Sequence, residues 1–327
     1  MEKDNSIESL RGLAILLVIA LHINNDGALD GAREIYDYMS YTFQNIRLPL
    51  FTVISGFLYG CRPVVEGRYL YFLQGKFRRI VVPLLTVVTL EILSKAYLPG
   101  VSERVSIDKL LYFIFYPYEH FWFLQVIFLI FVFVGLLDYW SVIDSPRKWS
   151  YIFLVSLVLY ISYPKLGLDL SFFSIGTTTY LLPFFLLGYG ISKYPEHLFS
   201  NKMSLIIIFC FIVSFSLQQF EWVWGEPEVA GKRTILGLLV SVSSCALLFK
   251  YRKNVTPLKI IGSYAFTIYL YQGFGSGIGR RLGGMFVDIN PHIYFLIVIS
   301  VTVIFGVAVE YFVKKIPRLR TLLLGVK

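Results

Sequence analysis

Two ionisable residues bracket the first long apolar run of the chain. Arg11 opens it and His22 closes it, with Gly-Leu-Ala-Ile-Leu-Leu-Val-Ile-Ala-Leu between them. At about 100° and 1.5 Å per residue, eleven helical steps bring His22 to within about 20° of Arg11 and about 16 Å along the axis. A guanidinium and an imidazole then share one stripe of one apolar helix. Ionisable groups inside a membrane are costly and need a partner or a wet cavity. A histidine so placed can take a proton from a hydroxyl near neutral pH. An arginine fork suits phosphate oxygens. The plainer alternative is that Arg11 marks a cytoplasmic boundary and His22 caps the outer end.

Other residues extend both ideas. Arg47 stands in Asn45-Ile46-Arg47-Leu48-Pro49, at the start of a second apolar run. Pro49 is tolerated there because the first helical turn leaves its N–H unpaired anyway. On a topology with the N-terminus inside, Arg47 enters from the face that His22 reaches, so the two can meet; otherwise it snorkels to headgroups. Arg78 and Arg79, in Lys76-Phe77-Arg78-Arg79-Ile80-Val81-Val82-Pro83, are either a topology signal or a polyanion site at the cytoplasmic mouth. Glu119, His120 and Trp122 lie together before another apolar run. Glu119 and His120 are placed to touch a polar acceptor at the outer mouth, or are ordinary interfacial residues, while Tyr112, Tyr116, Tyr118 and Trp122 form an aromatic belt. Trp222 and Trp224, beside Glu221, Glu226 and Glu228, read as a belt or as a sugar-stacking surface. The stretch from Gly262 to Gln272 is polar for a membrane helix and should face the bundle or a cavity. The glycines from Gly273 to Gly284 then predict a flexible exit loop.

These residues need a scaffold, and composition names it. Hydrophobic residues make up 56% and charged residues 16% of the chain, against about 25% charged in a soluble domain. Apolar runs of spanning length recur from end to end. The expected fold is all-α, a polytopic transmembrane helical bundle of about ten membrane-spanning helices in one domain, 1–327. The spans fall near 8–24, 42–61, 79–98, 121–139, 150–163, 178–193, 203–220, 233–250, 258–275 and 292–313. The fifth is short, and the ninth is diluted by Ser263, Tyr264, Thr267 and Gln272. With the N-terminus inside, twenty Lys and Arg fall in cytoplasmic segments and nine in outer loops, so both termini are expected in the cytoplasm. The outer loops look acidic, with Asp26, Asp30, Glu34 and Asp37 in the first. The net charge of +9 is then that of cytoplasmic loops, and no nucleic-acid partner is expected. The first apolar run has no small-residue cleavage site, so no signal peptide is expected. Cys61, Cys210 and Cys245 are scattered and make no metal spacing.

The layout suggests a reaction. A basic inner mouth holds a phosphorylated donor, and the separation of Arg11 from His22 suits a phosphopantetheine arm with its thioester at the far end. His22 deprotonates an acceptor hydroxyl, which attacks the thioester; Arg47 or a nearby amide stabilises the oxyanion. No metal is required. The competing class is a secondary transporter or flippase for a glycolipid or small polar solute, which a discontinuous ninth helix would suit; no inverted repeat is apparent. A glycan polymerase would need large outer loops, which are not found.

The same residues resemble a known family. Ser9-Leu10-Arg11-Gly12-Leu13-Ala14 through His22 is similar to the opening signature of the integral-membrane acyltransferase 3 family, an arginine, ten residues and a histidine. Arg47-Leu48-Pro49-Leu50-Phe51 with Ser55-Gly56-Phe57, Lys76 through Pro83, His120-Phe121-Trp122-Phe123-Leu124, and Gly262-Ser263-Tyr264 through Tyr271 resemble further family elements in the same order. The resemblance covers about 6 to 313. It implies a ten-helix O-acyltransferase of bacterial envelope glycans in the cytoplasmic (inner) membrane. It further implies acetyl-CoA as acyl donor, a glycan or lipid-linked saccharide as acceptor, His22 as the catalytic histidine and Arg11 as essential. Gln272 departs from the histidine that many members carry after the tyrosine-rich run. The Trp-Ser-x-x-Val-Glu-Glu element of larger members is replaced by Trp122-Phe123-Leu124-Gln125. The expected catalytic set is His22, Arg11 and Arg47. Arg11, Arg78 and Arg79 are expected to hold the donor, and Glu119, His120 and Trp122 the acceptor.

Overall fold

Helix boundaries follow local capping chemistry. Pro146, Pro291 and Pro317 each stand at a first helical turn, where a missing N–H is harmless. The side chains of Ser145, Ser200, Thr234 and Asn290 accept hydrogen bonds from N–H groups of the helices they precede. A computed structural model describes residues 4–24, 27–97, 104–225, 227–286 and 289–326. Asp26 and Glu226, expected in the acidic outer loops, lie outside the described residues.

In chain order the helices are α1 (Asn5–Asn24), α2 (Arg33–Phe43), α3 (Arg47–Cys61), α4 (Tyr69–Lys76), α5 (Val82–Tyr97) and α6 (Leu110–Phe115). Then follow α7 (Trp122–Tyr139), α8 (Pro146–Ser162), α9 (Ile175–Lys193), α10 (Pro195–Leu198) and α11 (Asn201–Trp224). The last are α12 (Ile235–Lys250), α13 (Thr256–Ser263), α14 (Ala265–Gly283), α15 (Pro291–Val313) and α16 (Pro317–Leu324). There is no strand among the described residues. Among the described residues, seven helical segments are long and apolar enough to cross a membrane. The shorter or more polar α3, α12 and α14 stand between these along the chain and bring the total close to the expected number. The protein is a polytopic α-helical membrane bundle.

Burial sorts the helices. Ile15, Ile19, Ile23, Leu50, Val53, Phe184 and Phe185 are fully enclosed, so α1, α3 and α9 form the centre. By contrast Leu154 and Val158 of α8, Leu205 and Phe209 of α11, and Leu296 and Ile304 of α15 are exposed, which in a bundle of this composition is the lipid face. The central helices approach closely through small residues, because lipid offers no hydrophobic gain and contact must come from backbone proximity. A Cβ added at Gly56 would stand 2.0 Å from the Phe185 carbonyl oxygen, and one at Gly188 2.0 Å from that of Val53. The same device joins α1 to α13, where Gly12 meets Leu258 and Gly262 meets Glu8.

The ninth span is broken between α13 and α14, at Ser263–Tyr264, as its polar residues suggested. Two other expectations need correction. The glycines after Gln272 do not form a flexible loop. Gly273 to Gly283 are helical within α14, and Gly275 and Gly279 sit against Thr302 and Val298 of α15. Close helix contact outweighs the entropic cost of glycine there. The second span also starts later than expected, because α2 ends at Phe43 and α3 begins at Arg47.

Candidate active site

His22 sits in the last turn of α1. Its side of the helix end is open although Ile23 and Asn24 beside it are buried. Asn24 donates to Asp37 Oδ1 at 2.7 Å, which ties this helix end to α2. The His22 ring meets the His120 ring edge-on, with centroids 6.1 Å apart. The charged groups acting on His22 are Arg47, Glu119, Arg280 and Lys232. Arg280 of α14 also donates to the His22 carbonyl oxygen at 2.7 Å. Four separate chain segments thus converge on one imidazole.

His120 is held in detail. It is 7% exposed, and its Nε2 has no hydrogen-bond partner. Its ring packs on Phe121 at 4.1 Å and edge-on to Tyr269 at 5.3 Å. The Tyr269 hydroxyl donates to the His120 carbonyl oxygen. The preceding residue, Glu119, has φ of 46°, a left-handed backbone that turns the loop ahead of α7. Lys95 of α5 clamps that turn, with Nζ 2.8 Å from Glu119 Oε1, 3.0 Å from the Tyr118 hydroxyl and 3.2 Å from Glu91 Oε1. Burial pushes the His120 imidazole down to about 3, and the neighbouring His22 adds to the effect. It therefore stays neutral at physiological pH.

Arg47 is 5% exposed, which excludes snorkelling to headgroups. Its Nη1 donates to the Ser40 carbonyl at 3.3 Å, and its Nε is buried without a partner. Burial and Arg47 together hold Lys232 below its ordinary value. Gln272 is 3% exposed, and both its amide atoms lack partners. It lies about one helical turn beyond Tyr269, close to the side of α14 that meets His120. Trp122 is half-buried and packs edge-on to Phe123.

The other end of α1 is built differently. Arg11 Nη1 lies 3.1 Å from Oε1 of the buried Glu8 on its own helix. Arg78 and Arg79 stand in a π-helical turn, Phe77–Val81, between α4 and α5. Arg79 is exposed and Arg78 half-buried, with its Nε unpartnered. Gly325, at φ 66°, folds the chain after α16 onto this turn, so that an added Cβ would stand 2.5 Å from the Arg79 Cα. Arg320 of α16 also has a buried Nε without a partner. The three expected donor arginines thus lie on two elements, Arg11 on α1 and the Arg78–Arg79 pair on the π-helical turn. Ile15 and Val18, between Arg11 and His22 on the inner side of α1, are packed in the core.

Sequence reasoning missed Arg280, Lys232, Lys95 and Tyr269. Arg280 had counted only as an outer-loop charge, because the glycines around it read as a loop; a helical reading puts it eleven residues beyond Tyr269 on nearly the same stripe.

The geometry describes a helical bundle in which His120 and several charged groups gather around His22 at one end of α1, with Arg11 paired to Glu8 at the other. A family model described as an acyltransferase domain, that of the acyltransferase 3 family, matches residues 4–311. The chain belongs to this family and is a membrane acyltransferase. No curated protein and no solved structure matches it.

Proposed function

We propose that the protein is an O-acyltransferase that moves an acetyl group from cytoplasmic acetyl-CoA to a hydroxyl of an envelope glycan or lipid-linked saccharide. The observation that carries this reading is the accessible His22 ring beside the buried His120, with Arg47, Lys232 and Arg280 around it. His22 takes the proton of the acceptor hydroxyl as its oxygen bonds to the thioester carbonyl carbon. The C–S bond then breaks, and the imidazolium returns the proton to the departing coenzyme A thiolate. The former carbonyl oxygen of the thioester bears negative charge between these steps, and the cluster of cations near His22 favours it. Arg47, buried with a free Nε, is the first candidate for that role. Arg78 and Arg79 bind the donor phosphates at the Arg11 end, with Arg11 restrained by Glu8. Glu119 is engaged by Lys95, so its part is to set the turn that carries His120, while His120, Trp122 and the unpartnered amide of Gln272 line the acceptor side.

The test is transfer of radiolabelled acetyl from acetyl-CoA to envelope glycan by purified protein, with His22→Ala alongside. Loss of a positioned base costs about 10²–10⁴-fold in rate. A well-folded His22→Ala protein with near-normal transfer refutes the mechanism. Failure of the folded wild type to transfer label at any acceptor concentration refutes the activity and leaves transport of a glycolipid as the next reading.

A further inference from the structure

A sizeable apolar cavity lies off the Arg11–His22 stripe. It holds about 470 Å³ between α1 with α13 on one side and α11 with α12 on the other. Leu10, Leu13 and Leu17 form its α1 wall, and Leu247 and Leu248 its α12 wall. These α1 leucines point roughly 130° away from the Arg11–His22 direction. The groove therefore lies on a different side of α1 from His22. Leu13 and Leu17 are only half-buried, although α1 is one of the three central helices.

Its chemistry changes along its length. The walls are apolar from Phe43 and Ile46 at the His22 end down to Leu10. At the other end Arg252 and Lys253 stand on the rim, in the segment after α12. Lys253 is exposed. Arg252 donates from Nη1 to the Phe249 carbonyl at 2.8 Å and lies 3.4 Å from Asp4, and its Nε is buried without a partner. Lys250 is directed to Ser204. The rim thus carries a net positive charge even after Asp4 is counted.

We infer that this groove holds one acyl chain of an anionic phospholipid, with the headgroup phosphate on Arg252 and Lys253. Three features support this occupant. An apolar cavity does not retain ordered water, and unfilled it leaves its wall atoms without contacts. From Ser9 to Leu17 the α1 wall runs about 12 Å, close to the roughly 15 Å of one leaflet of a bilayer core. The basic pair sits where the helices end, at headgroup depth, and basic residues there attract anionic lipid. The chain would fill the seam between α1 and the α11–α12 pair. This inference does not depend on the acyl-transfer reaction.

The experiment uses the full-length protein in detergent with equal amounts of phosphatidylglycerol and phosphatidylethanolamine of identical chains. Native mass spectrometry reads the lipid retained. The expected result is about one phosphatidylglycerol per chain, in clear preference to phosphatidylethanolamine. Lys253→Gln should lower that preference about fivefold, the effect of one basic residue at an anionic surface. Leu13→Trp and Leu247→Trp, which fill the groove from opposite walls, should each abolish retention; thermal unfolding identifies the variant that is folded. Equal retention of both lipids by the wild type, or none, overturns the inference. So does a folded groove-filling variant that keeps its phosphatidylglycerol.

Discussion

Replacing Gly12 by alanine should damage both stability and transfer, although the added group is one methyl. The Cβ of residue 12 would stand 2.0 Å from the Leu258 carbonyl oxygen and 2.8 Å from its carbon, whereas ordinary contact begins at 3.4 Å. The obstructing atoms are backbone, so no rotamer change relieves them. α1 and α13 must separate by about 1.4 Å, the difference between those distances. Overpacking of this kind costs about 1–3 kcal/mol. The shift also moves the helix that carries His22, and a misplacement of about 1 Å at a reacting group can cost about 10²-fold in rate. Gly262→Ala attacks the same seam from α13, with its Cβ 1.8 Å from the Glu8 carbonyl oxygen, and should behave alike. Gly277→Ala is the control. It lies in α14 with nothing within 4 Å of its Cβ, so it should be neutral or stabilising by about 0.5–1 kcal/mol. Thermal unfolding in detergent and initial rates of acetyl transfer measure both effects. A Gly12→Ala protein as stable and active as wild type refutes the packing argument, as does a Gly277→Ala protein that is equally damaged.

Neutralising Arg78 and Arg79 together should raise KM for acetyl-CoA several-fold while leaving acceptor KM nearly unchanged; an unaltered donor KM reduces them to topology determinants. His120, held neutral at about 3 against 6.5 when unfolded, contributes stability above pH 6.5 that is lost as pH falls from 6.5 toward 3, because the unfolded chain gains the proton first. Melting curves between pH 7 and 4 should show that loss, and His120→Phe should flatten it; an equal slope in the variant assigns the acid sensitivity to other groups. Reporter fusions after residue 30 and after residue 327 should localise to opposite sides of the membrane, and matching signals would overturn the placement of both termini in the cytoplasm.

Much of the architecture was legible because membrane burial imposes a coarse rule on composition. A helix that must cross lipid needs a long apolar run, and such runs can be read without knowing what packs on what. The interrupted ninth span was visible for the same reason, from its polar residues. The stripe joining Arg11 to His22 needed only helical periodicity. The glycines of α14 were misread because glycine has two uses, a flexible turn and a close helix contact. Which one applies depends on Thr302 and Val298, which are distant in sequence. The misreading hid Arg280.

The sequence alone therefore determined the class of molecule, the helical membrane-spanning elements and the two ends of α1, because these depend on local composition and on the 3.6-residue repeat. It also carried the family, since the order of the motifs lies along the chain. The tertiary structure decided which side chains meet. His22 faces His120, ninety-eight residues away and 6.1 Å between ring centres, and Lys95 reaches across to the turn at Glu119. Arg11 is held by Glu8, and the groove on the far face of α1 exists only because α11 and α12 stand apart from it. Such contacts join segments whose spacing in sequence bears no relation to distance, so only the packing of the helices brings them together.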